Sequence, residues 1–450
     1  MPSQSLTHNI MALKYQRPRG THDFFPNASG WEDDSTRCLY LEDQFRALCR
    51  VYGYGEIRTP AFEDTDLFKR SVGEETDIVS KEMYTFTDKS DRSLTLRPES
   101  TAPVLRAYIE NSLYVQGGVT KLYYCAQHFR YERGMKGRYR QHEQLGVEAL
   151  GTDDPALDAE VIQLALAFFQ SVGITRLTLK LNSVGSIESR STYLVALKAF
   201  VEPYLPEFSA EGQGRYQTNP LRMLDTKNPR ELEILANAPH LSAYLTEDER
   251  AHHAAVMGYL ADAGVDYEND PFLVRGFDYY TKTAFEIQSP DLGAQNALGG
   301  GGRYNQLVET IGGPPTPGIG FGLGIERALI ALQALNAEMP PPPAPTAYIV
   351  TLGDGAKPTG IKLLAALRGR GISAETEYGG RSMKAQMRAA DKAKARYAVI
   401  LGDDEIALGM VQLKNLHDGW QHKVPLAEVA DWLSGNPTGK VPAQSPLLPK

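Results

Sequence analysis

Four consecutive prolines at residues 340–343 divide this chain into two parts that must fold separately. Proline has no amide donor and favours extended polyproline geometry, so neither a helix nor a central strand can run through MPPPPAPT, residues 339–346. The segment reads as the end of a semi-rigid linker over residues 336–346. Beyond it, AYIVTL (347–352) predicts a strand, GIKLLAALRGRG a helix closed by glycine, and ISAETE a second strand. SMKAQMRAADKAKAR follows as a basic helix, YAVILG (397–402) as an apolar strand, MVQLKNL and HKVP as further β-type segments, and LAEVADWL as a last helix. This alternation predicts an α/β domain over residues 347–435, with a mostly parallel sheet covered on both sides. Residues 436–450 are expected to form a disordered tail.

Before the linker the pattern changes. KLYYCAQHFRYE and YRQHEQLGVEAL are β-type runs separated by a short charged turn, which predicts a hairpin and hence an antiparallel sheet. Between about residues 186 and 263 the sequence becomes polar and helical, with DTKNPRELEIL and TEDERAHHAAVMGYLADAG. That block interrupts two sheet-like regions. The expectation is therefore an α+β core over 11–185 and 264–335, with a helical insertion over 186–263. No repeat of 20–50 residues is visible.

Composition narrows the class. Apolar residues make up 42% and charged residues 23%, an ordinary globular balance. No stretch reaches the roughly 18 consecutive apolar residues that a membrane span needs, and residues 1–20 lack the pattern of a secretory signal. Met11, opening MALKYQRPRG, offers an alternative start to Met1. Cys38, Cys49 and Cys125 are too few and too scattered for a disulfide framework or a zinc site, which points to a reducing, cytoplasmic home. A net charge of −8 argues against a surface coated for bulk nucleic-acid binding, yet leaves room for a local basic groove.

Four constellations could carry chemistry. FRYERGMKGRYR, residues 129–140, holds Arg130, Arg133, Lys136, Arg138 and Arg140. Arginine forks of this density suit phosphate oxygens, and a solvated hairpin tip is the alternative. Arg130 precedes the turn within an apolar run, which places it on the sheet. Gln144 and Glu148, four apart in the returning strand, share one face, as a polar-ligand site requires. In VRGFDYYTKTAFEI, residues 274–287, Arg275 and Asp278 flank the paired Tyr279 and Tyr280. Core packing could explain either tyrosine; an arginine amid Val, Gly and Phe needs an anionic partner if buried.

The third constellation is ALGGGGRYNQLVETIGG followed by PGIGFGLGIERALIAL. Its glycines permit close backbone approach, but their spacing is not G-x-G-x-x-G, which excludes a nicotinamide site. It reads as a glycine-rich strand entering an apolar helix with Glu326 and Arg327 at its start. A cation is disfavoured there by the helix dipole, so Arg327 either answers an external anion or stands exposed. Fourth, in SLTLRPESTAPVLRAYIEN, residues 93–111, Glu99 or Thr101 could cap the helix or bind a ligand ammonium.

Taken together these segments resemble the three signature motifs of class II aminoacyl-tRNA synthetases. Residues 31–51 followed by EIRTP resemble motif 1, FRYERGMKGRYRQHEQLGVE motif 2, and GFGLGIERALI motif 3. RGFDYYTKT is similar to the RGLDYY signature of the histidyl-tRNA synthetases, and RPRGTHDFFP, RPEST and GGGGRYN also match that family. The likeness runs from Arg17 to about Leu433.

The resemblance implies a homodimer that joins L-histidine to tRNA(His) through an adenylate, with ATP as substrate and Mg²⁺ held largely by the nucleotide. Motif 1 would build the dimer interface, and residues 347–435 would bind the anticodon. Carried over by matched position, Arg130 holds the α-phosphate, Arg327 the γ-phosphate, and Glu132 the adenine end. Glu99, Thr101 and Gln144 hold the α-amino side of histidine; Glu148 and Tyr280 pair with the imidazole nitrogens, with Tyr279 and Tyr304 lining the pocket. By the same carry-over Arg275 would lie between the histidine carboxylate and the α-phosphate. Arg133, Lys136, Arg138, Arg388 and Lys392 are the implied tRNA contacts, the last two within a stripe Lys384, Arg388, Lys392, Arg396 that could equally be a solvated helix face.

Three departures stand out: His142 where the family has an adenine-stacking Phe, Met135 where a polar loop residue is common, and Asn305-Gln306 in place of Asp-Gly. Two rivals remain at this point. One is the idle paralogue that serves as regulatory subunit of ATP phosphoribosyltransferase, which lacks the C-terminal domain and erodes the motifs kept here. The other is a class II ligase for proline or threonine, which the paired tyrosines disfavour. Arg275→Ala is expected to abolish adenylation while leaving the dimer intact; retained pyrophosphate exchange would remove the role assigned to it.

Overall fold

The computed structural model describes residues 15–435, apart from 74, 75, 77, 133, 135, 136, 275, 294, 295, 342 and 354. The alternative start at Met11 and the tail at 436–450 lie outside the described residues. Contacts divide the chain between residues 338 and 339 into two compact units.

The first unit is built on an eight-stranded sheet. Its order is Gly55–Glu56, Thr120–Phe129, Gln141–Leu150, Gly318–Gly324, Ala297–Arg303, Thr281–Gln288, Thr178–Ser183, Glu268–Asn269. The inner pairs are antiparallel, and each short edge strand pairs in parallel with its neighbour. Strands Thr120–Phe129 and Gln141–Leu150, ten residues each, pair antiparallel in a register that runs from Thr120 opposite Leu150 to Phe129 opposite Gln141. Because side chains alternate, Leu145, Val147 and Ala149 enter the core while Gln144, Gly146 and Glu148 face the other side. Helices Ser35–Val51, Pro155–Ser171 and Ile325–Ala334 cover the apolar face. Asp34 caps the first by accepting from Thr36 N, and Asp154 the second by accepting from Ala156 N, with Pro155 at the first helical position. Phe45 sits edge-on to Phe168 at 5.5 Å and to Phe321 at 6.3 Å.

The helical block over 186–263 is less uniform than its polar text predicts. Helices from Ile187–Val201 to Leu241–Tyr244 build their own core around Tyr193, Leu197, Phe208, Met223 and Ile234, joined by Val274 and Tyr280. Helix Glu247–Asp262 instead lies against Pro155–Ser171, burying His252, Val256 and Leu260, and so belongs to the layer over the sheet. Its amphipathic face was hidden among charges. Glu249 holds the two crossings together: it accepts from Ser186 N (2.6 Å), Ser189 Oγ (2.7 Å) and Thr246 N (2.9 Å).

A wholly buried ion pair fastens the sheet to its helices. Arg303 forks onto Asp158 and donates to the Thr152 carbonyl at 2.8 Å, while His252 Nε2 lies 3.3 Å from Asp158 Oδ1. Burial alone would raise the Asp158 carboxyl; its hydrogen bonds to His252 and Arg303 and the arginine's charge hold it below the usual carboxylate range.

In the second unit the strand order is Ala374–Thr376, Ala347–Thr351, Tyr397–Leu401, Met410–Asn415, Gln421–Pro425. The first two ladders are parallel and the last two antiparallel, so the sheet is mixed rather than mostly parallel. The physical reason lies in the connection after Leu401. The single-turn helix Asp403–Ala407 is shorter than the dozen or so residues a parallel crossover needs. The cationic stripe is also shorter than predicted. Lys384, Arg388 and Lys392 are exposed on helix Met383–Lys392, but Arg396 lies beyond a left-handed Lys394 and packs over the Tyr397 ring.

Truncating Asp158 to Ala leaves buried Arg303 with only the exposed Asp153 as counter-charge, at 3.4 Å, and should cost about 3 kcal/mol of stability in urea unfolding. In the parent chain the pair's contribution is complete above about pH 4 and is lost as pH falls through the depressed carboxyl pKa.

Candidate active site

The polar face of the hairpin opens on glycines. In register, Glu148 lies opposite Gly320, Gly146 opposite Gly322, and Gly322 in turn opposite Gly300. A Cβ at Gly320 would collide with the Glu148 carboxylate, and one at Gly322 with the Gln144 amide. The glycines therefore let two long polar side chains lie across neighbouring strands. Above them is a cavity of about 150 Å³, lined by Glu99, Thr101, Arg130, Gln144, Tyr279, Tyr280 and Tyr304 of the predicted residues, together with Tyr124 and Phe277.

Glu148 is the innermost acid. Its carboxylate accepts from Thr101 Oγ1 at 2.8 Å and from the Tyr304 hydroxyl. Burial pushes its pKa up to about 8; the two hydroxyl donors oppose that rise and Glu99 adds to it. Glu99 stands at the turn from strand Ser93–Leu96 into helix Thr101–Glu110. There it accepts from Thr101 N (2.5 Å) and Ala102 N (2.9 Å), so it caps the helix and lines the cavity at once. Gln144 Nε2 donates to the Tyr124 hydroxyl at 3.3 Å. Tyr279 stacks on Phe277 at 5.1 Å, contacts Tyr280 at 4.7 Å and meets Tyr304 edge-on at 5.8 Å. The predicted tyrosines thus form one wall, with Tyr280 also joining the core of the helical insertion.

The cations gather at the mouth of the same face. Arg130 follows strand Thr120–Phe129, donates Nε to the Pro98 carbonyl at 2.8 Å and lies over the Phe277 ring. His142 shares the face of Gln144 and Glu148. Burial, then the charges of Arg130 and Arg327, push its imidazole down to about 3, so the ring is neutral. Arg327, in the first turn of helix Ile325–Ala334, donates to the Gly137 carbonyl at 3.2 Å and to Ala297 O at 2.5 Å. It does not line the cavity itself. Glu132 pairs with Arg138 at 3.6 Å in the turn.

The family model described as Histidyl-tRNA synthetase matches residues 31–190 and 213–328, and that described as Anticodon binding domain matches 346–436. The chain belongs to the histidyl-tRNA synthetase family. A histidine–tRNA ligase of Moorella thermoacetica is 50% identical over 416 residues, spanning 92% of this chain and 97% of the relative. That of Bacillus subtilis is 48% identical over 430 residues, 95% of this chain and all of the relative. The crystal structure of apo S. aureus histidyl-tRNA synthetase superposes with a TM-score of 0.78 at 40% identity, covering 93% of this chain and 99% of that one. An ATP phosphoribosyltransferase regulatory subunit/histidyl-tRNA synthetase from Bacillus halodurans superposes at 0.60 with 21% identity, covering 87% of this chain and 99% of that one, a likeness of fold alone.

Within this histidyl-tRNA synthetase frame some predicted residues stand apart. Arg275, Arg133 and Lys136 lie outside the described residues, as does the departure at Met135. Arg388 and Lys392 belong to the second unit. Asn305 donates to Asp153 at 2.8 Å and accepts from Arg303, which places that departure at the exposed edge of the ionic cluster around Arg303; Gln306 leads into the short helix Leu307–Thr310. Tyr124 and Phe277 were missed. Tyr124 could have been found by parity, since the hairpin register sets it opposite Gly146 on the face of Gln144.

Glu148→Gln provides a test of the buried acid. With a folded pKa near 8 and an unfolded one near 4.3, the native state binds the extra proton, so parent stability falls as pH rises between those values. The variant lacks that loss. Its advantage in thermal unfolding should be small at pH 4.5 and grow to about 5 kcal/mol at pH 8; an advantage independent of pH would refute the raised pKa.

Proposed function

We propose that the glycine-floored cavity binds L-histidine and presents its carboxylate to ATP. Membership of the histidyl-tRNA synthetase family makes the chain an ATP-dependent ligase that joins L-histidine to its tRNA through a histidyl-adenylate, releasing AMP and pyrophosphate. One observation carries the pocket assignment: a buried acid with its pKa raised to about 8 lies behind the cavity that Glu99, Gln144 and Tyr280 line, tied to it through the hydroxyls of the lining residues Thr101 and Tyr304. An acid in that state can accept from an imidazole N–H or share a proton with the ring, while a tyrosine hydroxyl serves the other nitrogen. Glu99 and Thr101 supply acceptors for an ammonium group. A competing amino acid would leave these groups unpaired, which is how a polar pocket rejects it strongly.

Arg130, with Arg275 and Arg327, is proposed to balance the charge that spreads over the α-phosphate as the carboxylate attacks. No side-chain nucleophile is needed. His142 and Glu132 are assigned to the adenine end, and Mg²⁺ carried by the nucleotide would offset the charge of its phosphates. Arg133, Lys136 and Arg138 are proposed for the tRNA acceptor end. The three exposed cations of helix Met383–Lys392 are without ion-pair partners among the described residues, which supports a tRNA role for Arg388 and Lys392. A homodimer is supported by Phe62 and Phe86, 48% and 43% exposed and edge-to-face at 6.2 Å on the three-stranded sheet beside the cavity. Among the described residues no helix is long and apolar enough to cross a membrane. A cytoplasmic setting completes the reading.

Pyrophosphate exchange into ATP, run with each amino acid in turn, is expected with histidine alone. Exchange with another amino acid would overturn the pocket assignment, and none at all would overturn the adenylating chemistry. Deleting residues 346–450 should spare exchange and cripple tRNA charging; equal loss of both would contradict a separable anticodon-binding unit.

A further inference from the structure

His128 is fully buried, and none of the roles above uses it. It faces the cavity side of strand Thr120–Phe129, directly opposite His142. Its Nε2 lies 2.6 Å from Ser100 Oγ, whereas its Nδ1 is buried without a hydrogen-bond partner. Native proteins seldom leave such an atom unpaired, so the ring is kept at some cost.

What the ring holds is informative. Ser100 stands between Glu99 and Thr101 and begins helix Thr101–Glu110, yet its hydroxyl makes no capping bond to that helix. Three further contacts run alongside: Arg97 Nε donates to Gln127 O (2.8 Å), Phe129 N to Arg97 O (3.0 Å) and Arg130 Nε to Pro98 O (2.8 Å). Arg97 also donates to the Thr59 carbonyl at 2.9 Å, which anchors the turn from behind. Residues 97–101 are thus stapled along residues 127–130. One side of the staple carries the proposed ammonium-binding pair and the other carries Arg130. His128–Ser100 is its side-chain rivet, and the contact nearest Glu99 and Thr101.

We propose that His128 is a positioning residue: through Ser100 it fixes the Glu99–Thr101 turn relative to Arg130, so that histidine is held in line with the nucleotide. The inference rests on the histidine-activating reading above. Burial, together with the charges of His142, Arg130 and Arg97, holds the ring neutral against the opposing pull of the nearby Gln144 side chain, so Nε2–H can donate to Ser100 Oγ and leave the bare nitrogen, the cheaper atom to strand, at Nδ1. Packing alone makes a different demand, since a side chain of similar volume would then serve as well.

The test compares His128→Met, which fills the space without a hydrogen bond, with His128→Gln, whose amide can reach the position of Nε2. Exchange by the parent chain with histidine checks the underlying reading first, and its absence would remove both proposals. Given that activity, His128→Met should raise the KM for histidine about five- to tenfold, the factor a buried hydrogen bond is worth, with the KM for ATP changed less than twofold. His128→Gln should recover most of the loss. Ser100→Ala should match His128→Met, and the double variant should be no worse than either single one. Parent-like kinetics in His128→Met, equal effects on both substrates, or additive losses in the double variant would each overturn the assignment while leaving the activity reading intact.

Discussion

Everything in the catalytic unit depends on the register of one hairpin. Strands Thr120–Phe129 and Gln141–Leu150 pair so that Gln144, Gly146 and Glu148 share a face. A slip of one residue would turn those side chains into the helix layer and set Leu145, Val147 and Ala149 in the cavity. The neighbouring strand repeats the constraint, because only Gly320 and Gly322 leave room for the acid and amide lying across them. The apolar side resists slippage through Phe45, Phe168 and Phe321, which interlock behind the same strands. Core and pocket are two faces of a single pairing choice.

Much of this was legible in the residues. The proline run marked the division of the chain, and the spacing of Gln144 and Glu148 gave a shared face without any coordinates. What periodicity could not supply was long-range pairing. That Tyr304 would reach Glu148, or Arg303 would meet Asp158, depends on strands and helices far apart in sequence. The mixed sheet of the second unit was misread for a related reason: apolar strand runs report burial on two faces, and burial is indifferent to strand direction. Helix Glu247–Asp262 was placed in the insertion because its charged residues outnumber its few buried ones, although those few decide where it packs.

Two kinds of buried charge serve opposite ends here. Arg303 and Asp158 satisfy one another with carbonyls and a histidine around them, which fixes how the sheet meets its helices. Glu148 has hydroxyl donors and no cation among its hydrogen-bond partners in the described residues, so it stays strained in its charged form. Completed pairs suit architecture; an acid left short of a counter-charge suits recognition of a basic ring.

Glu249 has a consequence for how such a chain can change over time. Because one carboxylate ties Ser186 and Thr246, the helical insertion leaves and rejoins the core at a single point. The closure entropy of a loop grows only by about 0.6 kcal/mol for each doubling of its length. Loop residues can therefore be gained or lost between the two crossings with little penalty to the sheet below, so long as the core that packs on Val274 and Tyr280 is kept. The family model's own interruption between residues 190 and 213 falls inside that span. The insertion is a region where lineages can diverge in length and shape, while the hairpin beneath must keep its register residue by residue.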